Sequence, residues 1–199
     1  MTAVAERIPS VSAAEYLRSE RLAVSKHEFE NGQIIAMAGA SMNHIRVASN
    51  FMGSLWGALK GKPCQPYNSD LRIAPISGRN YYYPEISIVC GAVEYDQVDN
   101  GLDTVTNPKA IVEVLSPSSE RFDRDKKFTS YRAAASFREY ILVAQDAPVI
   151  ETYYLQEDGV WAFNHFRGLE SFVYLRSVDI KIPLADIYAG VKFPVMSET

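Results

Sequence analysis

A single acidic residue interrupts an otherwise apolar segment in the middle of the chain. Residues 110–115 read Ala-Ile-Val-Glu-Val-Leu, with Glu113 near the centre. Continuous apolar runs of this length, rich in β-branched residues, are typical of strands that are covered on both faces. An unpaired ionised carboxylate is costly in such a strand, so Glu113 must be matched by a cation, a metal ion or a proton.

Two further charged residues, Glu85 and Lys127, are candidates to contact Glu113. Residues 81–90 predict a second strand, whose regular part is expected to start at Pro84, and Glu85 directly follows this proline. The charged segment 120–127 begins a helix and ends in Lys127. If the two strands pair, both carboxylates converge at one end of a sheet, and such oxygen ligands suit Mg²⁺ or Mn²⁺. A metal there would polarise a phosphate and activate a bound water, and a nearby lysine would stabilise developing negative charge.

Simpler interpretations of the same residues stay open on the sequence alone. Glu113 could form a buried ion pair with an arginine such as Arg132 or Arg138, and the second acid could be exposed at a strand start. Asp123 lies four residues before Lys127. Such acid-to-base pairs stabilise a helix surface by roughly 0.3 kcal/mol without any catalytic role.

The order of the predicted elements indicates a mixed α/β domain with one central sheet and helices packed on it. Residues 12–20 predict a short helix with a capping box, and residues 26–38 a hairpin that turns at Asn31-Gly32. A longer helix begins at Ser41 and ends near Gly61. The later elements are a helix over about residues 121–135 and strands over residues 139–144, 149–156 and 160–166.

The longer helix carries a row of apolar residues on one of its faces. Its members recur at intervals of three and four residues, as on one side of a helix. They are Ile45, Ala48, Met52, Leu55 and Leu59.

Charge and cysteine content restrict the partners and the compartment. The chain has 199 residues, a formal charge of −4 and a pI of about 5.4, so it is not a general nucleic-acid coat, since such proteins rely on positive charge. Cys64 and Cys90 have no CxxC spacing and are predicted to be buried, reduced thiols. No signal peptide or membrane span of about 18 apolar residues is evident, so we expect a cytoplasmic protein without membrane contact.

Several of these segments together resemble the Uma-type restriction endonucleases, a bacterial family with a PD-(D/E)xK nuclease-like fold. The matching pieces are residues 111–119 followed by Asp123, Lys127 and Tyr131, together with residues 27–32, His44, residues 83–85 and residues 138–140. Their order and spacing are more specific than any piece alone, and they span about residues 16–186. The resemblance implies a single restriction-endonuclease-like domain over residues 1–199, with a central mixed sheet flanked by helices. It further implies DNA phosphodiester hydrolysis with Mg²⁺ (or Mn²⁺) and a homodimer, in which two sites cut two strands.

The resemblance also implies roles for particular residues. Glu85 takes the first metal-ligand position and Glu113 the second. The usual lysine two residues after the second acid is replaced by Leu115, and Lys127 on the following helix fills its place. The supporting residues implied are Glu28, His44, Asp70 and Asp123.

One departure from the family pattern bears on activity. The family usually carries Asp where this chain has Glu85. Because Mg²⁺ demands near-ideal octahedral geometry, the longer side chain either shifts the metal or weakens catalysis. The alternative function is therefore a weak or inactive nuclease-fold module that binds nucleic acid or protein.

Overall fold

The computed structural model of the protein describes residues 10–98 and 104–194. The helices are α1 (Ala13–Glu20), α2 (Met42–Leu59), α3 (Glu120–Phe122), α4 (Phe128–Tyr131) and α5 (Leu184–Ile187), and a π-helical turn at Asp123–Lys127 joins α3 to α4. The strands are β1 (His27–Glu30), β2 (Gln33–Ala36), β3 (Cys64–Asn68), β4 (Arg72–Ile76), β5 (Asn80–Tyr82), β6 (Ile86–Cys90), β7 (Thr104–Val105), β8 (Pro108–Leu115), β9 (Glu139–Ala144), β10 (Val149–Leu155), β11 (Trp161–Arg167), β12 (Phe172–Leu175) and β13 (Ile180–Pro183).

These strands form separate sheets in the described residues. One sheet has the order β2-β1-β5-β4-β7, a second has the order β11-β10-β9-β8-β6-β3, and β12 pairs with β13. β8 runs parallel to β9, and β4 runs parallel to β7, while the other pairs are antiparallel. The mixed α/β class predicted from the sequence is confirmed, but the expected single central sheet is divided.

The predicted strand over residues 81–90 is split between two sheets. β5 belongs to the first sheet and β6 to the second, and Tyr83, Pro84 and Glu85 link them. Proline lacks a backbone donor, so it is poorly suited to the interior of a strand ladder. Glu85 therefore lies where the two sheets meet.

β8 is the central buried strand, as its apolar run predicted. Val112 and Val114 pack in one core cluster with α2, β12, β13 and α5. Ile111 and Leu115, on the opposite face, pack with aromatic side chains that include Tyr131. Both faces are thus covered, and the side chain of Glu113 is placed on the second of them by the alternation of the strand.

Two local predictions at the start of the chain are confirmed. Ser12 and Glu15 form the capping box of α1, in which the Ser12 hydroxyl accepts from the Glu15 backbone N–H. Asn31 (φ 47°) and Gly32 (φ 90°) form the turn between β1 and β2. Both residues adopt positive φ, as the favoured two-residue hairpin turns require at their central positions.

α2 begins as predicted, with the Ser41 hydroxyl accepting from the His44 backbone N–H. The face that meets the core differs from the face that the apolar spacing indicated. The fully buried apolar side chains of this helix are Val47, Phe51, Leu55 and Leu59. Ile45, a member of the row indicated by the spacing, is 48% exposed. The helix is apolar on two sides, and periodicity alone does not tell which side meets the sheet.

Cys64 and Cys90 are joined by a disulfide, so the prediction of two reduced thiols is wrong. The two residues are half-buried and lie directly opposite each other in the β3–β6 pair. Strand pairing between segments that are distant in the sequence brings them together, which spacing motifs do not reveal.

None of the helices in residues 10–98 and 104–194 combines the length and the apolar character that crossing a bilayer requires.

We expect reduction of this disulfide to lower the free energy of unfolding by about 3 kcal/mol, since it closes a loop in the unfolded chain. The sequence separation of the two cysteines is 26 residues. Urea denaturation with and without a reductant measures the difference. The Cys64→Ser/Cys90→Ser variant is the control and should not respond to the reductant. An oxidised protein whose urea midpoint is unchanged after reduction would contradict this expectation.

Candidate active site

The two strand-borne acids are neighbours across the β6–β8 pair. Ile86 lies opposite Val112 in this antiparallel register, so the next position places Glu85 opposite Glu113. The backbone N–H of Glu85 donates to Oε2 of Glu113 at 3.4 Å. The strand that contains Glu113 is buried on both faces, and its carboxylate is directed to the end of β6.

Lys127 links carboxylates from three parts of the fold. Its Nζ lies 2.8 Å from Oε1 of Glu28, 3.2 Å from Oε1 of Glu113 and 3.3 Å from Oδ1 of Asp123. The contact with Asp123 is purely electrostatic, because its geometry does not make a hydrogen bond. Lys127 is only 5% exposed. One ammonium therefore connects β1 of the first sheet, β8 of the second sheet and the π-helical turn.

The π-helical turn replaces part of the predicted helix. The sequence predicted one helix over residues 121–135, whereas helical structure ends at Tyr131 and is widened at Asp123–Lys127. Such turns are rare and frequently occur at functional sites. The Tyr131 hydroxyl lies 3.5 Å from Oε1 of Glu113, and the Tyr140 hydroxyl donates to the Asp123 carbonyl at 3.0 Å. The buried aromatic side chains thus hold the turn against the sheet.

His44 and Glu85 form a second pair beside this cluster. Nε2 of His44 lies 2.6 Å from Oε1 of Glu85. His44 comes from the first turn of α2, and its Nδ1 is buried without a hydrogen-bond partner among the described residues. The Glu85 side chain keeps 23% of its surface exposed. Its carboxylate is therefore both oriented by the histidine and accessible from outside.

Burial and the short distances between charged groups shift the pKa values of this cluster. Burial raises the pKa of Glu113 well above 4.5; Lys127 opposes this rise, while Asp123, Glu28 and Glu85 add to it. Burial likewise raises the pKa of Glu28. For Lys127 burial lowers the pKa, but Glu113, Glu28 and Asp123 outweigh burial and hold it well above 10.5. The lysine is therefore an ammonium, and the four acids exceed the cations around them.

Glu85 and Glu113 are carboxylates, which are the kind of ligand that a hard divalent cation prefers. In the described part of the chain, no group of three or more His, Cys, Asp or Glu side chains is arranged to hold a metal ion. A closed site like that of structural zinc is therefore not formed here. Mg²⁺ commonly binds through one or two carboxylates and keeps several waters, which suits two adjacent acids in an open cleft.

The cluster forms the floor of a cleft of about 1120 Å³. One side of the cleft is apolar and comes from the β1–β2 hairpin and from α2. The residues of this side are Ile35, Met37, Ile45, Ala48, Met52 and Trp56. The other side carries hydroxyl and amide groups and comes from the segment after β8 and the end of β9. The polar residues of this side are Ser116, Ser118, Ser119 and Gln145.

The structure brings all but one of the predicted site residues together. The residues that meet are Glu28, His44, Glu85, Glu113, Asp123 and Lys127. Asp70 is exposed in the turn after β3 and pairs with Lys26, whose hydrogen bond lowers the pKa of Asp70. It lies apart from the cluster because the turn directs it to solvent.

No arginine of the described residues is the partner of Glu113. Arg132 lies over the rings of Phe128 and Trp161, and Arg138 donates to backbone carbonyls. The interpretation of Glu113 as half of an arginine ion pair is therefore wrong.

Sequence reasoning missed the apolar side of the cleft and the contribution of Tyr83. The Tyr83 backbone N–H donates to Oε1 of Glu28 at 3.1 Å. A contact made by a backbone N–H cannot be predicted from the pattern of side chains. The apolar side of the cleft could have been predicted from α2, because this helix has more apolar residues than one core face requires.

Comparisons with known proteins match nearly the whole chain. Residues 13–183 match the profile of the Uma2 family, whose description reads "Putative restriction endonuclease". A protein of Synechocystis named "Uncharacterized protein slr1290" is 32% identical over 185 residues, which are 93% of this chain and 95% of that protein. A second, "Uncharacterized protein sll1609", is 36% identical over 158 residues, which are 79% and 88% of the two chains.

A solved structure shows the same fold. It is the crystal structure from Anabaena variabilis described as "a putative nuclease belonging to DUF820". The TM-score is 0.71 at 16% sequence identity, and the match covers 90% of this chain and 98% of that chain. At this identity the likeness concerns the fold alone.

Proposed function

This chain belongs to the Uma2 restriction endonuclease family, and we propose from that premise that it is a metal-dependent endonuclease acting on DNA phosphodiester bonds. The observation that carries the proposal is the contact of Lys127 with Glu113, beside Glu85, at the floor of an open cleft. Two adjacent carboxylates and an ammonium supply the groups that metal-assisted phosphodiester hydrolysis needs.

Glu85 and Glu113 are the residues that would hold Mg²⁺ or Mn²⁺. Such an ion, when bound, supplies a Lewis acid for the phosphate and a water of lowered pKa. Glu113 is anchored by Lys127 and by the Glu85 backbone N–H, so its carboxylate is oriented before any ligand arrives. His44 does the same for Glu85.

Lys127 acts in this proposal as a fixed positive charge next to the phosphate. Burial lowers the pKa of Lys127, but the neighbouring acids outweigh burial and hold this pKa well above 10.5. The lysine therefore keeps its proton and does not serve as a base. A fixed ammonium stabilises the negative charge that develops in the transition state. Glu28 and Asp123 position the lysine through their contacts with Nζ.

A binding module without catalysis is the second candidate, and the His44–Glu85 contact favours it. One oxygen of Glu85 is already engaged by the histidine at 2.6 Å. The acidic balance of the chain, −4, also gives little general attraction for nucleic acid. The homodimer implied by the family resemblance stays a prediction.

Plasmid nicking separates these two functions. We expect the purified chain to nick supercoiled DNA with Mg²⁺ or Mn²⁺ and to be inactive in EDTA. In Mn²⁺ calorimetry, Glu85→Gln should weaken binding at least about tenfold, since a ligating carboxylate is lost. Glu94→Gln is the matched control, because Glu94 is exposed beyond the other end of β6. Metal binding without cleavage of any DNA would favour the binding module, and absence of both would overturn the metal site.

A further inference from the structure

α2 presents a second apolar side that the core covers only in part. Ala48 and Met52 are partly buried against the core, whereas Ile45 and Trp56 are exposed. Ile45, Ala48, Met52 and Trp56 recur at intervals of three and four residues, so they lie along one side of the helix. Ile45 is 48% exposed and Trp56 is 58% exposed. All of these residues line the cleft above the acidic cluster. Isolated apolar residues on a surface need no explanation, but a continuous row leading into a candidate active site indicates a binding surface.

The β1–β2 hairpin extends this surface. Ile35 and Met37 line the same cleft, and Met37 is 39% exposed. We call Ile35, Met37, Ile45, Met52 and Trp56 the apolar wall.

The apolar wall offers nothing to a phosphate. Residues 33–45 contain no Asp, Glu, Lys or Arg. Among the described residues that line the cleft, Lys127 is the one Lys or Arg, and it already contacts three acids. Duplex DNA carries a negative charge for about every 1.7 Å of its axis, so a duplex lying in this cleft would leave many phosphates without a cation. An uncharged apolar surface instead complements the uncharged face of a base.

A polar part of the cleft lining suits a sugar–phosphate strand without added charge. Ser116, Ser118 and Ser119 supply hydroxyl groups there and hydrogen-bond one another. The Gln145 amide also lines the cleft and is held by Ser41 and by the Leu115 carbonyl. Such side chains commonly hydrogen-bond phosphate and sugar oxygens in nucleic-acid complexes. The cleft therefore offers hydrogen bonds on one side and an apolar surface with an exposed indole on the other. A single strand has these same two sides once its bases are unpaired.

We propose that the apolar wall stacks the unpaired bases of the substrate strand, with Trp56 as its outer platform. The preferred substrate class is then single-stranded DNA, or duplex DNA with an unpaired segment. This inference rests on the proposed function, from which it takes that the bound strand is DNA. Aromatic side chains bind bases of any sequence in this way, since every base has a π-face.

The length of the wall defines how much strand is engaged. Helix α2 contains both His44, beside the acidic cluster, and Trp56. Twelve residues of α-helix rise about 18 Å, which is comparable to roughly five stacked bases. Bases several nucleotides away from the cleaved bond therefore reach Trp56, and very short oligonucleotides do not.

Tryptophan fluorescence tests the contact without requiring turnover. The chain has two tryptophans, and Trp161→Phe leaves Trp56 as the reporter, since Trp161 packs in an aromatic cluster away from the cleft. In EDTA, oligothymidylate of about twelve nucleotides should quench this fluorescence, and an oligothymidylate of about three nucleotides or a blunt duplex should not. Equal quenching by the duplex, or no quenching by any oligonucleotide, would overturn the proposal. A fall in fluorescence that depends on protein concentration and not on oligonucleotide would also overturn the proposal. It would indicate that the apolar wall binds a second copy of this chain.

Kinetics test the same contact during cleavage. Trp56→Ala should raise KM for single-stranded DNA roughly tenfold, with a smaller effect on kcat, and Trp56→Phe should retain most of the affinity. Phe163→Ala is the matched control, because Phe163 is an equally exposed aromatic residue on β11 outside the cleft. An unchanged KM in Trp56→Ala, or equal cleavage of blunt duplex, would contradict the inference. Failure of the nuclease proposal is distinguishable, since it removes cleavage but leaves the fluorescence result intact.

Discussion

Replacement of Glu113 by glutamine should reduce the proposed metal-dependent cleavage by about a thousandfold or more, because it removes a ligand and a charge from the proposed cation site. The fold should persist, since glutamine has nearly the same shape and the site loses part of its excess negative charge. Plasmid nicking with Mg²⁺ and Mn²⁺ measures the loss, and circular dichroism checks the fold. Mn²⁺ calorimetry should show weakened binding in the same variant.

The pH dependence of the unmodified protein follows from the same residue. Burial and neighbouring acids raise the pKa of Glu113 well above 4.5. The protonated carboxyl cannot hold a cation, so cleavage should fall on acidification at a higher pH than an ordinary glutamate would give. Glu139→Gln is a matched control, since Glu139 is a buried glutamate on the neighbouring strand, with hydrogen bonds from Arg176 and Ser177. That variant should lose stability and keep cleavage. A fully active Glu113→Gln variant would exclude this residue from the metal site.

Replacement of Lys127 by methionine should have the largest effect on stability, a loss of about 3–5 kcal/mol in the free energy of unfolding. The reason is that one buried ammonium matches Glu28, Glu113 and Asp123, and removal of one partner leaves buried charge uncompensated. Cleavage should also be lost. Urea denaturation at pH 8 and at pH 5 measures the first effect.

The two pH values give the sign of this effect. Without the lysine, the pKa of the buried acids rises in the folded state and the protonated forms are favoured. Their contribution to stability is then present below the unfolded-state pKa and is lost as the pH rises through the folded-state pKa. Lys127→Met should therefore be less stable at pH 8 than at pH 5. Lys126→Met, at the exposed neighbouring position, should match the unmodified protein at both pH values. A Lys127→Met variant of unchanged stability would refute the role of the lysine as the shared counter-ion.

Features that depend on a few adjacent residues were predictable from the sequence. Asn31-Gly32 tolerates positive φ, so the hairpin turn followed from local sterics alone. The acid inside the apolar run of β8 required a partner for energetic reasons, and the structure supplies Lys127. Family resemblance added Glu28 and His44, which periodicity alone would not have placed at the site.

Features that depend on distant pairing were not predictable in the same way. The disulfide between Cys64 and Cys90 needs the β3–β6 register, which no local pattern encodes. The division of residues 81–90 between two sheets arises at Pro84, whose effect on a strand was seen but whose change of sheet was not. Ile45 belongs to the apolar row that the sequence shows and yet is exposed, because hydrophobic periodicity measures apolar character and not which neighbour covers a residue.

The position of Lys127 between the two sheets has a consequence for heat inactivation. Glu28 belongs to the first sheet and Glu113 to the second, and the same ammonium contacts both. The sheets cannot separate without breaking one of these contacts. A partly unfolded form in which the two sheets have separated would therefore lack the site. On warming, the midpoint for loss of catalysis should therefore coincide with that for loss of tertiary structure.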